Sequence, residues 1–167
     1  RARGELHRMG VPRTLVIAGS GDARVLADLH TLVRQQGLVA GEDVVFTGRV
    51  EESDVPILYN LCDLFVYPSS YEGFGLPPLE AMATGRPGVV SDTSSFPELY
   101  QGTAVLVELG SPLRLAEAID QVSSDEDQRR ELIARGLKLA RSRSWRDVAQ
   151  ETLDVYRRIE GRGHTIA

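Results

Sequence analysis

The run LFVYPSSYEGFGLPPLEAMATG, residues 64–85, decides the fold class, because it joins a short apolar strand to a helix through a glycine turn. Residues 64–67 form an apolar run of the kind found in buried parallel strands, and the helical pattern begins near Pro77. A strand, a glycine-rich turn and a helix start in succession are typical of a parallel α/β sheet. We therefore expect an α/β fold built around this run.

The turn predicts an anion site between two carboxylates. Gly73 and Gly75 let the backbone come close to a ligand, and the first free N–H groups of the helix point at the anion. Glu72 and Glu80 flank the turn, and their carboxylates can accept hydrogen bonds from hydroxyl groups. A phosphate anion has no such hydrogen to donate, so the two glutamates suit the hydroxyl-bearing parts of a ligand. A ligand with a phosphate in the middle and polyols on both sides is a nucleotide sugar.

Glu80 distinguishes this turn from an ordinary one. The predicted helix around it is otherwise apolar, so it has little reason to carry a carboxylate unless that carboxylate meets a partner. Glycine turns and surface glutamates are common separately. Their conjunction, with the aromatic Phe74 between two glycines and a glutamate on each side, favours a binding site over a plain turn.

The alternation of strand and helix continues on both sides of the turn. Strands are predicted at residues 14–18, 44–47, 64–67, 88–90 and 104–107, with helical patterns over 22–36, 52–60, 77–84 and near Pro97. Alternation of this kind predicts a Rossmann-like parallel sheet with helices on both faces. The tail differs, because residues 112–122, 125–140 and 145–159 are three helical patterns with no strand between them.

Length and composition exclude several classes of protein. The 167 residues suit one domain, 1–167, with a sizeable core. A net charge of −5 argues against a general nucleic-acid partner. No apolar segment approaches the roughly 18 residues of a membrane span, so we expect a cytoplasmic protein. The single cysteine, Cys62, excludes an internal disulfide, and with only three scattered histidines it argues against a zinc site; no cofactor is expected.

Two glycines in the first turn resemble a dinucleotide-binding fingerprint, but the pattern is incomplete. Gly19 and Gly21 follow the first predicted strand, yet position 24, where a third glycine belongs, holds Arg24. The interpretation we favour is a tight turn in which Asp22 caps the following helix. A nicotinamide-dependent dehydrogenase is therefore excluded.

Two further segments follow predicted strands at the carboxyl edge of the sheet, where ligands bind in open α/β folds. The backbone around Arg49 and Val50 could touch a nucleotide base from this edge. In residues 91–98, SDTSSFPE, the hydroxyls and Glu98 either face the pocket or form turns that satisfy the backbone. The sequence leaves these two alternatives open.

From Thr14 to about Ile159 the chain resembles the C-terminal, nucleotide-binding half of a GT-B glycosyltransferase of the family 4 type. The residues that carry the resemblance are 46–50, 62–69, the Glu72-x7-Glu80 motif with its turn 72–77, 81–87 and 95–98. The resemblance implies retaining transfer of a hexose from an NDP-sugar to an acceptor hydroxyl, without an essential metal. It implies that Glu72, the catalytic residue, binds the donor sugar and that Glu80 binds the ribose. The backbone of Gly73, Phe74, Gly75 and Leu76 would then approach the sugar and diphosphate.

The chain departs from this family near its beginning. Family members carry an Arg and a Lys that clamp the diphosphate after the first strand of this half, and residues 1–13 contain no such pattern. We therefore expect an N-terminally truncated domain that lacks its acceptor-binding half and is inactive alone. The apolar face predicted on residues 145–159 fits a helix that crosses to that half. The alternative is a noncatalytic nucleotide-sugar-binding or scaffold module that partners a catalytic subunit; two intact glutamates favour the enzyme.

Overall fold

A computed structural model describes residues 1–162, with side chains described through residue 160. The last five residues of the predicted domain 1–167 lie outside the described part. Strands form where β-branched apolar runs occur, within a residue or so of the predicted bounds. The strands are β1 Leu15–Ala18, β2 Val44–Gly48, β3 Phe65–Tyr67, β4 Gly88–Ser91 and β5 Val105–Val107.

Helices connect the strands and continue the chain beyond the last one. They are α1 Ala2–Arg8, α2 Ala23–Gln35, α3 Val55–Leu61 after a 3₁₀ turn at Glu52–Asp54, α4 Leu76–Ala83, α5 Phe96–Tyr100, α6 Pro112–Ser124, α7 Glu126–Arg141 and α8 Trp145–Arg162. The predicted helical tail is thus present as α6, α7 and α8.

Helix α1 was not expected from the sequence. Its seven residues contain one large aliphatic side chain, Leu6, so they show no helical periodicity. The helix is held by tertiary contacts instead, since it packs on α6 and buries Leu6. The buried guanidinium of Arg3 also forms an ion pair with Asp43, with 2.7 Å between Nη2 and Oδ1.

Each strand pair in residues 1–162 is parallel, as the alternation of strand and helix predicts. The strands are divided between two sheets, one of β1 and β2 and one in the order β3-β4-β5. Strand β4 lies in the centre of the larger sheet and is buried along its whole length. Because the strands run in one direction, their carboxyl ends, and the loops that follow β3 and β4, lie at the same edge.

Helices cover both faces of β4. Successive side chains of a strand point to opposite faces, so Val89 and Val90 belong to different hydrophobic clusters. Val90 packs with Met82 of α4 and with two aromatic residues of α5. Val89 packs with apolar residues of α6 and α7, including Val122. The predicted α/β arrangement is confirmed in this part of the chain.

The unit of β1, α2 and β2 has a separate, smaller core. Val33, Leu38 and Val44 are its buried members. Helix α2 begins as the sequence predicts, because the Asp22 carboxylate accepts a hydrogen bond from the Arg24 amide at 2.7 Å. The turn after β1 is therefore a helix-capping turn.

Helix α8 has an apolar face that is exposed in this structure. Trp145 is 76% exposed, and Val148, Tyr156 and Ile159 are exposed as well. The predicted apolar face is thus present, and these side chains are exposed within the described residues. None of the helices in these residues combines the length and apolar character that a transbilayer segment needs.

Candidate functional site

The glycine turn between β3 and α4 adopts a conformation that its sequence requires at one position. Gly75 precedes the helix with φ of +78°, in the left-handed region that side-chain-bearing residues rarely occupy. A Cβ atom at this position would also overlap the ring of Phe96, which is fully buried. Gly73 has neither restriction, since its φ is not positive and the space around it is open.

Four consecutive backbone amides are available in this turn. Within residues 1–162, the N–H groups of Gly73, Phe74, Gly75 and Leu76 donate to no protein acceptor. The next two helical residues, Pro77 and Pro78, have no N–H group. The anion-binding capacity predicted for the helix start therefore lies in the turn and the first helical residue, not farther into α4.

The carboxylate of Glu72 is held by two hydroxyl groups. The Tyr67 hydroxyl donates to Oε1 at 2.8 Å, and the Ser69 hydroxyl donates to the same oxygen at 3.0 Å. Burial, and then the hydrogen bond to Glu72, raise the pKa of Tyr67, so this hydroxyl keeps its proton and remains a donor. The second oxygen, Oε2, has no protein partner within the described residues.

The carboxylate of Glu80 is held by a tyrosine from another helix. The Tyr59 hydroxyl of α3 donates to Oε2 at 2.9 Å, which joins α3 to α4. Burial raises the pKa of Tyr59, and the hydrogen bond to Glu80 raises it further. Glu80 itself is exposed, and its Oε1 has no partner among residues 1–162.

The loop after β4 fixes the backbone of the motif. The Ser91 and Thr93 hydroxyls donate to the carbonyl oxygen of Ser69, Thr93 at 3.0 Å. The Ser94 hydroxyl donates to the carbonyl of Glu72 at 2.6 Å and accepts from the Glu72 amide at 3.2 Å. Of the two alternatives for residues 91–98, these hydroxyls follow the second, because they bind backbone groups. The backbone that they bind is that of the neighbouring loop, at Ser69 and Glu72. Glu98 is exposed.

A buried tyrosine of α5 also holds the backbone of the glycine turn. The Tyr100 hydroxyl donates to the carbonyl oxygen of Gly75 at 2.5 Å. Its ring contacts Phe96 with 5.6 Å between centroids, and Phe96 in turn lies beside Tyr67 at 6.1 Å. Burial raises the pKa of Tyr100 to about 12. The turn is thus held in place by a rigid aromatic cluster.

Arg49 and Val50 lie after β2, in the smaller sheet, apart from these contacts. The Arg49 side chain is exposed, and its nearest opposite charge is Glu51 at 3.9 Å. No hydrogen bond or ion pair within residues 1–162 joins Arg49 or Val50 to the glycine turn. The connection is indirect, because the chain passes from Val50 through the 3₁₀ turn into α3, whose Tyr59 reaches Glu80.

The charge at the site is negative. Neither Glu72 nor Glu80 forms an ion pair in the part of the chain that the structure describes. That part also has no cluster of three or more histidine, cysteine or carboxylate side chains suited to a metal. Because a carboxylate repels phosphate, the two glutamates suit hydroxyl groups and the amides between them suit the anion.

A cavity of about 310 Å³ borders the support of the motif, since Pro68 and Ser91 line it, but it does not reach the glycine turn. Ser91, Glu108, Ser111 and Leu115 are among those that line it, and neither motif glutamate does. It borders β4 and β5 together with the start of α1 and of α6. The cavity is therefore separate from the two glutamates and the amides of residues 73–76.

Sequence reasoning missed the tyrosines and Ser69, whereas the hydroxyls of residues 91–98 were among its open alternatives. A tyrosine in a strand, such as Tyr67, is more often a core residue than a hydrogen-bond donor to a site. Tyr59 and Tyr100 lie 21 and 25 residues from their partners, so no local pattern links them. The one usable signal was Ser69, which lies three residues before Glu72 in the same loop.

Comparisons with known proteins agree with this fold. The family profile described as "Glycosyl transferases group 1" matches residues 4–139. Among curated relatives, the serotype-specific mannosyltransferase WbdA of Escherichia coli is 35% identical over 134 residues, which cover 80% of this chain and 16% of WbdA.

Solved structures give the same result. The C-terminal domain of the glycosyl transferase group 1 family protein LpcC from Francisella tularensis is 28% identical, with a TM-score of 0.73 over 85% of this chain and 75% of that one. Anabaena Alr3699/HepE in complex with UDP-glucose is 26% identical, with a TM-score of 0.71 over 78% of this chain and 36% of that one. The chain therefore spans well under half the length of WbdA and of HepE.

Proposed function

The chain belongs to the glycosyl transferases group 1, and on that premise we propose that it binds an NDP-sugar donor for retaining transfer of a hexose to an acceptor hydroxyl. The match covers most of the chain, and the resemblance to the C-terminal half of a GT-B glycosyltransferase is confirmed. The use of a nucleotide-sugar donor, the transfer of a hexose and the acceptor hydroxyl all belong to the proposal.

One observation carries the proposal: within the described residues, four amides without protein partners lie in sequence between two carboxylates, each of which has one oxygen without a protein partner. The amides suit the diphosphate, since each is a preorganised donor next to the positive end of α4. The carboxylates suit the hydroxyl-bearing groups on both sides of it. The protein thus offers an acceptor, a row of N–H donors and a second acceptor. An NDP-sugar has matching groups in the same order, namely the ribose hydroxyls, the diphosphate and the sugar hydroxyls.

We assign the ends of the ligand by the family resemblance. Glu80 would accept hydrogen bonds from the ribose hydroxyls, and Glu72 from a hydroxyl of the donor sugar. The backbone at Arg49 and Val50 would contact the base, because these residues follow β2 at the carboxyl edge and lead into α3. The mannosyltransferase WbdA and the UDP-glucose complex of HepE make UDP the first nucleotide, and mannose and glucose the first sugars, to test.

The proposed reaction depends on stabilising the leaving diphosphate. In retaining transfer by this route, the acceptor oxygen attacks the anomeric carbon on the side from which the diphosphate departs, and a diphosphate oxygen takes the acceptor proton. Negative charge grows on the diphosphate as the bond breaks. Preorganised donors aimed at such charge are worth about 3–4 kcal/mol each in the strongest cases. The amides of residues 73–76 would contribute in this way, without an essential metal.

Transfer itself would need more than these residues. The relatives are longer than this chain, and we propose that an acceptor-binding half accounts for part of that length. Cations that neutralise the diphosphate would come from there or from the strand that the family places before β1. The chain alone would then bind a donor, in the cytoplasm, without transferring its sugar.

Calorimetric titration of the purified chain with UDP, GDP and ADP, each with and without its common sugars, tests the proposal. We expect saturable binding of one nucleotide and of its sugar derivatives. A folded sample that binds none of them up to millimolar concentration would refute the proposed donor site in this chain.

A further inference from the structure

The two motif glutamates share an arrangement that the family assignment does not explain. Each uses one carboxylate oxygen for protein contacts and keeps the other free of protein partners within the described residues. Oε1 of Glu72 accepts from Tyr67 and Ser69, at 2.8 and 3.0 Å. Oε2 of Glu80 accepts from Tyr59 at 2.9 Å.

We propose that Tyr67 and Tyr59 are positioning residues, each of which orients one carboxylate toward a different part of the donor. Tyr67, helped by Ser69, would direct Oε2 of Glu72 to the sugar. Tyr59 would direct Oε1 of Glu80 to the ribose. This inference rests on the proposed function, because the two ends of the ligand are assigned there.

The rings of both tyrosines are held by aromatic contacts, so their hydroxyls have defined positions. Tyr67 stacks on Phe65 with 5.9 Å between ring centroids. Tyr59 packs edge-on against the same Phe65, with 5.4 Å between ring centroids. A carboxylate that hydrogen-bonds to a fixed hydroxyl loses rotational freedom before the ligand arrives. Less conformational entropy then remains to be lost on binding.

It also matters that the group which orients each carboxylate is a neutral hydrogen-bond donor. An arginine or lysine in place of these tyrosines would orient the carboxylate but also neutralise its charge. A phenol hydroxyl orients the carboxylate without cancelling its net negative charge, so the oxygen that has no protein partner within the described residues stays a strong acceptor for hydroxyl groups. The negative charge also disfavours a phosphate at either end, so the diphosphate is confined to the amides between them.

The test compares Tyr67→Phe with Tyr59→Phe, which remove one oxygen each and keep the ring packing. Calorimetry measures the affinity of each variant for the nucleotide that the wild type binds and for its NDP-sugar. We expect Tyr67→Phe to bind the bare nucleotide as the wild type does and the NDP-sugar about three- to tenfold more weakly. Tyr59→Phe should weaken both ligands by the same factor. Tyr156→Phe, on the exposed surface of α8, is the matched control and should change neither.

A second comparison separates positioning from a general effect on folding. In a Glu72→Ala background, Tyr67→Phe should have no further effect on NDP-sugar affinity, since the carboxylate it orients is absent. Ser69→Ala removes the other donor to the same oxygen and provides an independent route if Tyr67→Phe is poorly folded. Urea unfolding of each variant reports its stability directly.

The outcomes are distinct. Equal weakening of both ligands by Tyr67→Phe, or an undiminished effect in the Glu72→Ala background, would overturn the positioning role. Wild-type binding with no change in either tyrosine variant would overturn the inference and leave the donor site intact. Absence of binding by the wild type would overturn the proposed function and, with it, this inference.

Discussion

Replacing Gly75 by alanine should destabilise the fold and abolish donor binding, because two separate features of this position exclude a side chain. The backbone has φ of +78°, a region that costs an alanine about 1–2 kcal/mol. The added Cβ would overlap Cε1 of Phe96 and lie 3.1 Å from Cζ. Overpacking of this kind typically costs about 1–3 kcal/mol.

The two effects together predict a loss of about 2–5 kcal/mol in the free energy of unfolding. Phe96 has little room to move, since its ring is fully buried and lies against Tyr67 and Tyr100. Urea unfolding followed by circular dichroism measures the loss, and Gly73→Ala is the matched control two residues away. At Gly73 the φ is not positive and nothing lies within 4 Å of the added atom, so the control should change stability by less than about 0.5 kcal/mol. Equal stability of the two variants would refute this account of the turn.

Three further predictions follow from the same contacts. Tyr100→Phe leaves the carbonyl of Gly75 without its buried donor and should lower the free energy of unfolding by about 1–3 kcal/mol in urea titrations; an unchanged midpoint would contradict this. Stability should fall as the pH rises from about 10 to about 12, because the folded state holds the pKa of Tyr100 at about 12 while the unfolded chain releases that proton near pH 10. The decline should be shallower in Tyr100→Phe, and a decline that begins well below pH 10 would point to another group. Donor binding should survive EDTA, since the proposed site uses amides rather than a metal; affinity that is lost in EDTA and restored by Mg²⁺ would count against it.

The sequence predicts most of the architecture because strand and helix signals in this chain are local. The β-branched runs at β1, β2 and β4 are flanked by glycine, proline or aspartate, and the observed strands begin within a residue or two of the expected positions. Helix α1 is different, because tertiary contacts rather than its own pattern maintain it. The division of the strands between two sheets also depends on pairing that no local pattern reports.

The candidate site is only partly predictable for the same reason. Glu72 and Glu80 stand out because they flank a glycine turn, and the structure places that turn where a ligand can reach it. Which glycine is indispensable depends on Phe96, 21 residues away from Gly75, so composition alone cannot separate Gly73 from Gly75. The tyrosines that hold the carboxylates likewise depend on packing between separate elements. The roles of Glu72, Glu80, Arg49 and Val50 toward a ligand stay predictions.

The central claim is that one end of the donor meets Glu80 and the other meets Glu72, and comparison of two variants tests it most directly. Calorimetry on Glu80→Ala and Glu72→Ala should be done with the bare nucleotide and with the NDP-sugar. We predict that Glu80→Ala weakens both ligands by more than about 1 kcal/mol, the scale of a hydrogen bond to a charged group. Glu72→Ala should leave the nucleotide unaffected and weaken only the NDP-sugar. If both variants lose affinity for the two ligands to the same extent, or neither loses any, the assignment of the site is wrong.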